Sequence, residues 1–429
     1  GAVLVGNSTA DNDGKFIGSE VVTLSGGTSG TFADKNVGTG KGVTTAMTLG
    51  GADAGNYTLL NQPVLTGTIT AKALTISVAT PSTVASKVYN GTRDAAVTVG
   101  TLDGLVSGEA LGATGVVGTF ADKNIGTKNV TAVYTLTDGV NPLHLASNYT
   151  LAGETLTGTI TAKDLSVFGA GVTTKVYDGS DSAVVTGAVL VGNSTADNDG
   201  KFIGAETVTL SGGTSGTFAS KNVGAGQGVT TTMTLSGGDA GSYTLSTQPT
   251  LTGTITAKAL SILATTPSTV TSKVYNGGTG ATVVVGSLDG VVSGETLGAT
   301  TAVGTFADKN IGTKNVTAVY TLTDGVNPLH LASNYTLAGE TLTGTITAKD
   351  LSVFGAGVTT KVYDGSDSAV VTGAVLVGNS TADNDGKFIG SEVVTLSGGT
   401  SGTFADKNVG TGKGVTTAMT LGGADAGNY

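Results

Sequence analysis

The sequence predicts an all-β protein: a tandem array of small β-sandwich-like modules, immunoglobulin-like or β-grasp-like in plan. Three observations carry this expectation. The chain repeats itself at one long, fixed period. Each repeat is written in short apolar or alternating runs parted by turn residues. The composition is rich in Gly, Thr and Val, and no stretch sustains a helical periodicity.

The repeat comes first, because missing it would misplace every element. The phrase KVYDGSDSAVV begins at Lys175 and returns unchanged at Lys361, and the related KVYNG begins at Lys87 and at Lys273. Both intervals are 186 residues, and Gly1–Tyr57 returns as Gly373–Tyr429 at twice that interval. Each unit holds two related halves. GTFADKN or its variant surrounds Phe32, Phe120, Phe218, Phe306 and Phe404, spaced alternately by 88 and 98 residues. LTGTITAK closes successive halves at Lys72, Lys163, Lys258 and Lys349. These marks place modules at 1–73, 74–164, 165–259, 260–350 and 351–429, short ones alternating with long ones, the first and last incomplete. A period near 90 is too long for a solenoid coil of about 20–50 residues and suits a small β domain.

Within a module the elements follow in order. LTISV, KVY and AAVTV read as short strands, SGEAL as a short helix or 3-10 turn, and KNVTAVYTL and NYTL as further strands. LTGTITAKALTI then runs from the last strand of one module into the first of the next. With no Pro and only an early Gly, it predicts a stiff junction. Asn90-Gly91 and Asp178-Gly179 follow an apolar strand, the pattern of a type I′ hairpin turn. The preceding Tyr89 and Tyr177 are expected to be buried ring anchors, as are Tyr275 and Tyr363.

Composition narrows the function classes. The chain has 429 residues, 38% of them hydrophobic and only 12% charged, which favours folding over disorder. The net charge of −10, with lysines scattered singly, argues against nucleic acid as a partner. No apolar run approaches the ~20 residues of a membrane-spanning helix. The absence of Cys excludes disulfide and thiolate-metal frameworks.

KVYDG, GTFADKNVGTG, GADAGNYTL and TGTITAK, in this order, resemble the YDG module, named for its Tyr-Asp-Gly; the MBG modules share its general plan. The resemblance extends over every module. Asn90 and Asn276 replace the Asp of the name motif, and Asn suits the same turn, so the carboxylate is dispensable there. Such modules occur in tandem in large bacterial surface and secreted proteins of filamentous-haemagglutinin type. The resemblance implies a passive, extracellular, repetitive role.

Candidate sites are few. His144 and His330 lie one repeat apart in NPLHLASNYT, without the convergent partners of a triad or zinc site, and read as structural. The acidic loop NSTADNDGKF offers Asp11 and Asp13, repeated as Asp197, Asp199 and Asp383, Asp385. Its D-x-D-G spacing is half of a calcium loop without the closing bidentate Glu, so calcium is the one cofactor it suggests. Lys87 and Asn148 are candidates for an isopeptide crosslink. VGTGKGVTT near Lys41 lacks phosphate-loop spacing and reads as a hairpin turn. Asn56 and Asn148 stand in glycosylation sequons that predict little in a bacterial protein.

The expected function is therefore structural and non-enzymatic: a stiff spacer in an extracellular bacterial filament, stalk or giant adhesin. The alternative is a glycan- or surface-binding module. The expected partners are neighbouring repeats or copies of the same protein, with the outermost modules completed by a longer polypeptide or by strands from a neighbour.

Overall fold

A computed structural model describes residues 1–429, apart from the side chains of 115–117 and 302. Among the described residues the chain is strands and turns; its helical content is five 3-10 turns of three residues. Each 3-10 turn, such as Ala146–Asn148 and Ala240–Ser242, delivers the chain directly to the tyrosine of an Asn-Tyr or Ser-Tyr phrase. The short helix expected at SGEAL is a plain turn, closed by Glu109 N donating to the Val106 carbonyl at 2.9 Å. Gly108 inside it has φ +84°, which no right-handed helix accommodates.

The second module shows the plan. Its larger part is a sheet in the order Lys87–Val88, Glu154–Thr161, Gly126–Thr137, Gly112–Phe120, Asp94–Ala95. Only the first pair is parallel, with Ile160 opposite Lys87 and Thr161 opposite Val88. The two edge strands are almost adjacent in sequence. In a flat five-stranded sheet they would lie about 19 Å apart, at ~4.8 Å per strand. Instead Lys87 Nζ reaches across to the Thr92 and Asp94 carbonyls at 3.0 and 2.9 Å, so the sheet is curled until its edges nearly meet. Inside the curl lie Phe120, Val130 and Ile160, all buried. The alternation that puts them there is plain in Gly126–Thr137, where Val130, Ala132 and Tyr134 point inward and Thr131, Val133 and Thr135 outward. Gly158 is required by the packing: a Cβ there would lie 2.9 Å from the Phe120 ring and 2.7 Å from Val84.

The smaller part is a lobe ahead of the sheet. Lys72–Ile76 pairs antiparallel with Leu102–Asp103 and parallel with Tyr149–Leu151, Tyr149 lying opposite Lys72. Lys72–Ile76 itself follows the Leu65–Ile69 strand of the preceding sheet after two residues, as the junction sequence predicts.

The chain packs as two compact units, and the division falls inside the third module. The first unit comprises Gly1–Gly169, Ala188–Gly213 and Met233–Pro249; the second comprises Ala170–Gly187, Thr214–Thr232 and Thr250–Tyr429. In each, a curled sheet shares its core with the lobe of the following module. In the first unit Tyr89, Phe120, Val130 and Ile160 cluster with Leu165, Val208 and Tyr243. In the second, Tyr275, Phe306, Val316 and Ile346 cluster with Ile389 and Tyr429 packed against them.

Two local expectations are corrected. Only the glycine of each Asx-Gly pair has positive φ (+78° at Gly91, +82° at Gly179), so the turn is not type I′. It is an Asx turn, in which Asn90 Oδ1 accepts from Thr92 N at 3.1 Å and Asp178 Oδ1 from Ser180 N at 2.9 Å. In the second module the strands it joins are the two edges of the curl and not a hairpin. VGTGKGVTT is likewise not a turn. Gly38–Thr44 is a strand between Thr31–Phe32 and Leu65–Ile69, with a register shift between Gly38 and Lys41.

Candidate functional site

A recurring cluster of buried polar groups forms where a curled sheet meets the next lobe. In each lobe a four-residue turn ends in glutamate: Ile17–Glu20, Val106–Glu109, Ile203–Glu206, Val292–Glu295 and Ile389–Glu392. Each turn is closed by the Glu N–H donating to the first carbonyl at 2.9 Å. The lobe tyrosine fixes it from the other side. Tyr243 accepts from Ile203 N at 3.1 Å and donates to Glu206 Oε2 at 2.6 Å. Tyr335 does the same with Val292 N and Glu295, at 3.2 and 2.7 Å.

The preceding sheet supplies the rest. Tyr89, at the end of the Lys87–Val88 strand, donates to Glu206 Oε1, which Lys123 Nζ also reaches at 2.9 Å. Tyr177 donates to Glu295 Oε1 at 2.6 Å, with Lys221 at 3.4 Å, and Tyr275 and Lys309 meet Glu392 in the same way. The two rings of each joint stand edge to face, with centroids 5.5, 5.3 and 5.5 Å apart for Tyr89–Tyr243, Tyr177–Tyr335 and Tyr275–Tyr429. A second limb uses asparagine. Asn334 accepts from Val223 N at 2.8 Å and donates to Asn222 at 3.0 Å; Asn148 does the same with Val37 and Asn36 at 2.9 and 3.0 Å.

The recurring phrase now has a physical reading. Lys87 caps the turn, Tyr89 inserts into the next lobe, and the glycine lets that lobe approach. A Cβ on Gly91 would sit 3.0 Å from Ile203, one on Gly179 2.9 Å from Val292, and one on Gly277 2.9 Å from Ile389.

Electrostatics follow from the packing. Burial pushes the Glu206 carboxyl up, but hydrogen bonds from Tyr243, Tyr89 and Lys123 outweigh it and hold the group below its ordinary value. Glu295 and Glu392 are lowered against burial in the same way. Burial, and then the carboxylate, push the tyrosines up, to about 12 at Tyr275 and Tyr335. The joint is thus a buried carboxylate held by two neutral phenols and an ammonium. Nothing in this arrangement activates a nucleophile.

The residues picked out from the sequence have other partners. Asp199 Oδ1 pairs with Lys163 Nζ at 2.7 Å, and Asp385 with Lys349 at the same distance. Both lysines are fully buried, and each also donates to a backbone carbonyl, of Ala196 or Ala382. Lys163 holds the Asp199 carboxyl far below the usual carboxylate range, helped by Ser194. Asp13 accepts from Lys15 N at 3.1 Å, while Asp11, Asp197 and Asp383 are exposed. Among the described residues no group of three or more His, Asp or Glu side chains could hold a metal ion. His144 Nδ1 accepts from Ala110 N at 3.2 Å and His330 Nδ1 from Thr296 N at 3.1 Å. Lys87 and Asn148 are not brought together, since the first caps the Asx turn and the second pairs with Asn36. The glutamates were missed. Their signal was an Ile/Val-x-x-Glu phrase recurring in every module, visible only when the copies are aligned with one another.

Among the described residues no helix is long and apolar enough to cross a membrane. Comparison with curated proteins finds no match. The family described as YDG domain matches five times, over residues 2–65, 70–157, 161–250, 256–343 and 347–429. The three complete joints described above are each built from two successive matches, the Tyr-Asx-Gly phrase of one meeting the Glu turn of the next. With almost the whole length covered in tandem, this repeat protein belongs to the YDG domain family.

Proposed function

We propose that the chain is a non-catalytic spacer in a secreted or surface-displayed bacterial protein, a stalk or fibre segment whose modules are locked to their neighbours. The observation that carries this reading is the joint itself. The same glutamate, two tyrosines and a lysine recur at each of three joints, with the carboxylate buried and the lysine partly exposed at its edge. A flexible tether would be exposed and polar. Here all three joints combine edge-to-face rings with a charge-assisted network, and at two of them, after Glu154–Thr161 and after Leu251–Thr256, one strand follows the other after a single residue. Such contacts transmit load and resist bending, and a chain made of them is repetition put to mechanical use.

Small-angle X-ray scattering of the intact chain tests the reading. Replacing Glu206, Glu295 and Glu392 with Ala is expected to make the scattering profile that of a more flexible particle while the far-ultraviolet circular dichroism keeps its β signature. A profile identical to that of the parent chain would show that the joints do not set stiffness.

A further inference from the structure

The sequence holds two Asn-Gly pairs, Asn90-Gly91 and Asn276-Gly277, and both stand at the tip of the phrase that enters the next lobe. Every other asparagine precedes a residue with a side chain. In an Asn-Gly pair the glycine main-chain nitrogen can attack the side-chain carbonyl carbon of the asparagine, since no Cβ shields it or restricts the backbone there. The turn already has the shape this needs. Asn90 Oδ1 accepts from Thr92 N and Asn276 Oδ1 from Gly278 N, each at 3.1 Å, so the Asx ring encloses the intervening glycine nitrogen. Both side-chain carbonyls are also polarised. Asn276 Oδ1 accepts from the Lys273 ammonium at 2.9 Å. Asn90 Oδ1 accepts from Thr92 Oγ1 at 2.9 Å, and that hydroxyl accepts from Lys87 Nζ at 2.8 Å. A donor at this oxygen steadies the negative charge it gains as the nitrogen adds. Water has access, since Asn276 is exposed and Asn90 half-buried.

The third module carries the form that an aspartate would take. Asp178 occupies the same turn, its carboxylate accepting from the Lys175 ammonium at 2.8 Å and from Ser180 N at 2.9 Å. An aspartate at position 90 or 276 therefore needs no new geometry and meets the lysine three residues before it. Asp178 itself resists the same attack. Burial pushes its carboxyl up, but hydrogen bonds from Lys175 and Ser180 outweigh it and keep the group ionised, a poor target for a nitrogen nucleophile. The alternative product, a β-linked aspartyl residue, carries an extra methylene in the main chain. At position 90 that methylene would part Tyr89, whose ring is buried against Tyr243, from Gly91, where even a Cβ would lie 3.0 Å from Ile203.

We propose that Asn90 and Asn276 are sites of spontaneous deamidation, assisted by the lysine of the same phrase, which turns the two Asn-Gly turns into ion-paired Asp-Gly turns. The glycine nitrogen loses its proton and bonds to the asparagine side-chain carbonyl carbon. The side-chain nitrogen leaves as ammonia, and a five-membered succinimide remains. Water then opens the ring. Cleaving the newly made bond restores the main chain and leaves aspartate; cleaving the original peptide bond leaves the β-linked isomer. In sum, amide and water give carboxylate and ammonium. The joint favours the first opening, because only that product keeps Tyr89 and Gly91, or Tyr275 and Gly277, in register with the next lobe. The proposal stands on the turn and not on the spacer reading.

The intact chain is held at mildly alkaline pH, either folded in buffer or unfolded in urea, and digested at intervals. Mass spectrometry with electron-transfer fragmentation distinguishes asparagine, aspartate and the β-linked isomer at each position. In the folded chain Asn90 and Asn276 are expected to convert while Asn148 and Asn334 stay intact, with aspartate as the main product. In urea the β-linked isomer is expected to prevail. Lys273→Met is expected to slow conversion at Asn276 about tenfold, with Asn90 of the same chain as the unchanged reference. Conversion of Asn90 and Asn276 no faster than that of Asn148 would overturn the proposal. So would a β-linked isomer that prevails in the folded chain as it does in urea, or a rate at Asn276 untouched by Lys273→Met.

Discussion

Tyr177 is shielded from water by a ring and a carboxylate that come much later in the chain, those of Tyr335 and Glu295, the latter 118 positions away. Truncating it to Ala should destabilise the second unit by about 3–5 kcal/mol, the cost of emptying a large buried site. Tyr177→Phe keeps the ring and removes one hydrogen bond to a carboxylate that retains Tyr335 and Lys221, so it should cost only about 1 kcal/mol. Chemical denaturation of the intact chain, with both variants measured beside the parent, separates the two. If Phe proved as damaging as Ala, the hydroxyl and not the ring would be the anchor. The buried tyrosine was legible in the sequence, because an aromatic before an Asx-Gly pair has few other reasons to recur. Its acceptor was not, because a lone glutamate in a polar turn looks like any solvated residue until the fold brings two phenols to it. The expectation fails at Tyr363, whose ring is 57% exposed.

Among the elements, the loop from Asn193 to Phe202 is anchored by a buried ion pair beside its backbone hydrogen bonds. Lys163 enters it fully buried, and its ammonium is satisfied by Asp199 and the Ala196 carbonyl. Asn193 and Asn198 sit at φ +75° and +45°, a conformation that asparagine tolerates better than most residues. Asp199→Asn leaves a buried ammonium without its counter-charge, whereas Lys163→Met removes the charge and keeps the stem. The first should therefore lower the melting temperature more than the second. Amide exchange over the loop should also quicken, by about tenfold or more, in the Asn variant. The opposite order would mean that the carboxylate is held by the loop and not the loop by the lysine. Strand content was readable from alternation. The sheet order was not, because nothing local tells Lys87–Val88 to lie parallel to a strand more than seventy residues away. The D-x-D-G spacing was visible in the sequence; the buried lysine facing it was not, since the apolar strand around Lys163 gives no sign that its ammonium turns inward.

For the molecule as a whole, the joints set a pH window. The folded-state values of Glu206, Glu295 and Glu392 lie below the ordinary carboxylate value, as does that of Glu109 beside Lys35. Their stabilisation is therefore complete above about pH 4.5 and is lost as the pH falls through the lowered values. The tyrosines are shifted the other way, to about 12 at Tyr275 and Tyr335. Their contribution is complete below about pH 10 and is lost as the pH rises from there toward 12. The melting temperature should accordingly be flat between these limits and fall on both sides. Replacing Glu206, Glu295 and Glu392 by Gln should lower the plateau and flatten the acid limb. An acid limb unchanged by the triple substitution would place the titrating groups elsewhere. The long period and its division into short and long modules came entirely from the sequence, since identity needs no structure to be seen. That the cores straddle two modules did not, because nothing local links the Tyr-Asx-Gly phrase of one module to the Glu turn of the next.

That straddling has a bearing on how the chain folds as it is made. A curled sheet whose own strands are all present still waits for the lobe that seals it, and Glu206 and Glu392 each arrive 117 residues after Tyr89 and Tyr275. Folding that runs from the first residue to the last therefore trails synthesis by one lobe, with one unsealed tyrosine at the moving front. The front advances when the next lobe closes on it.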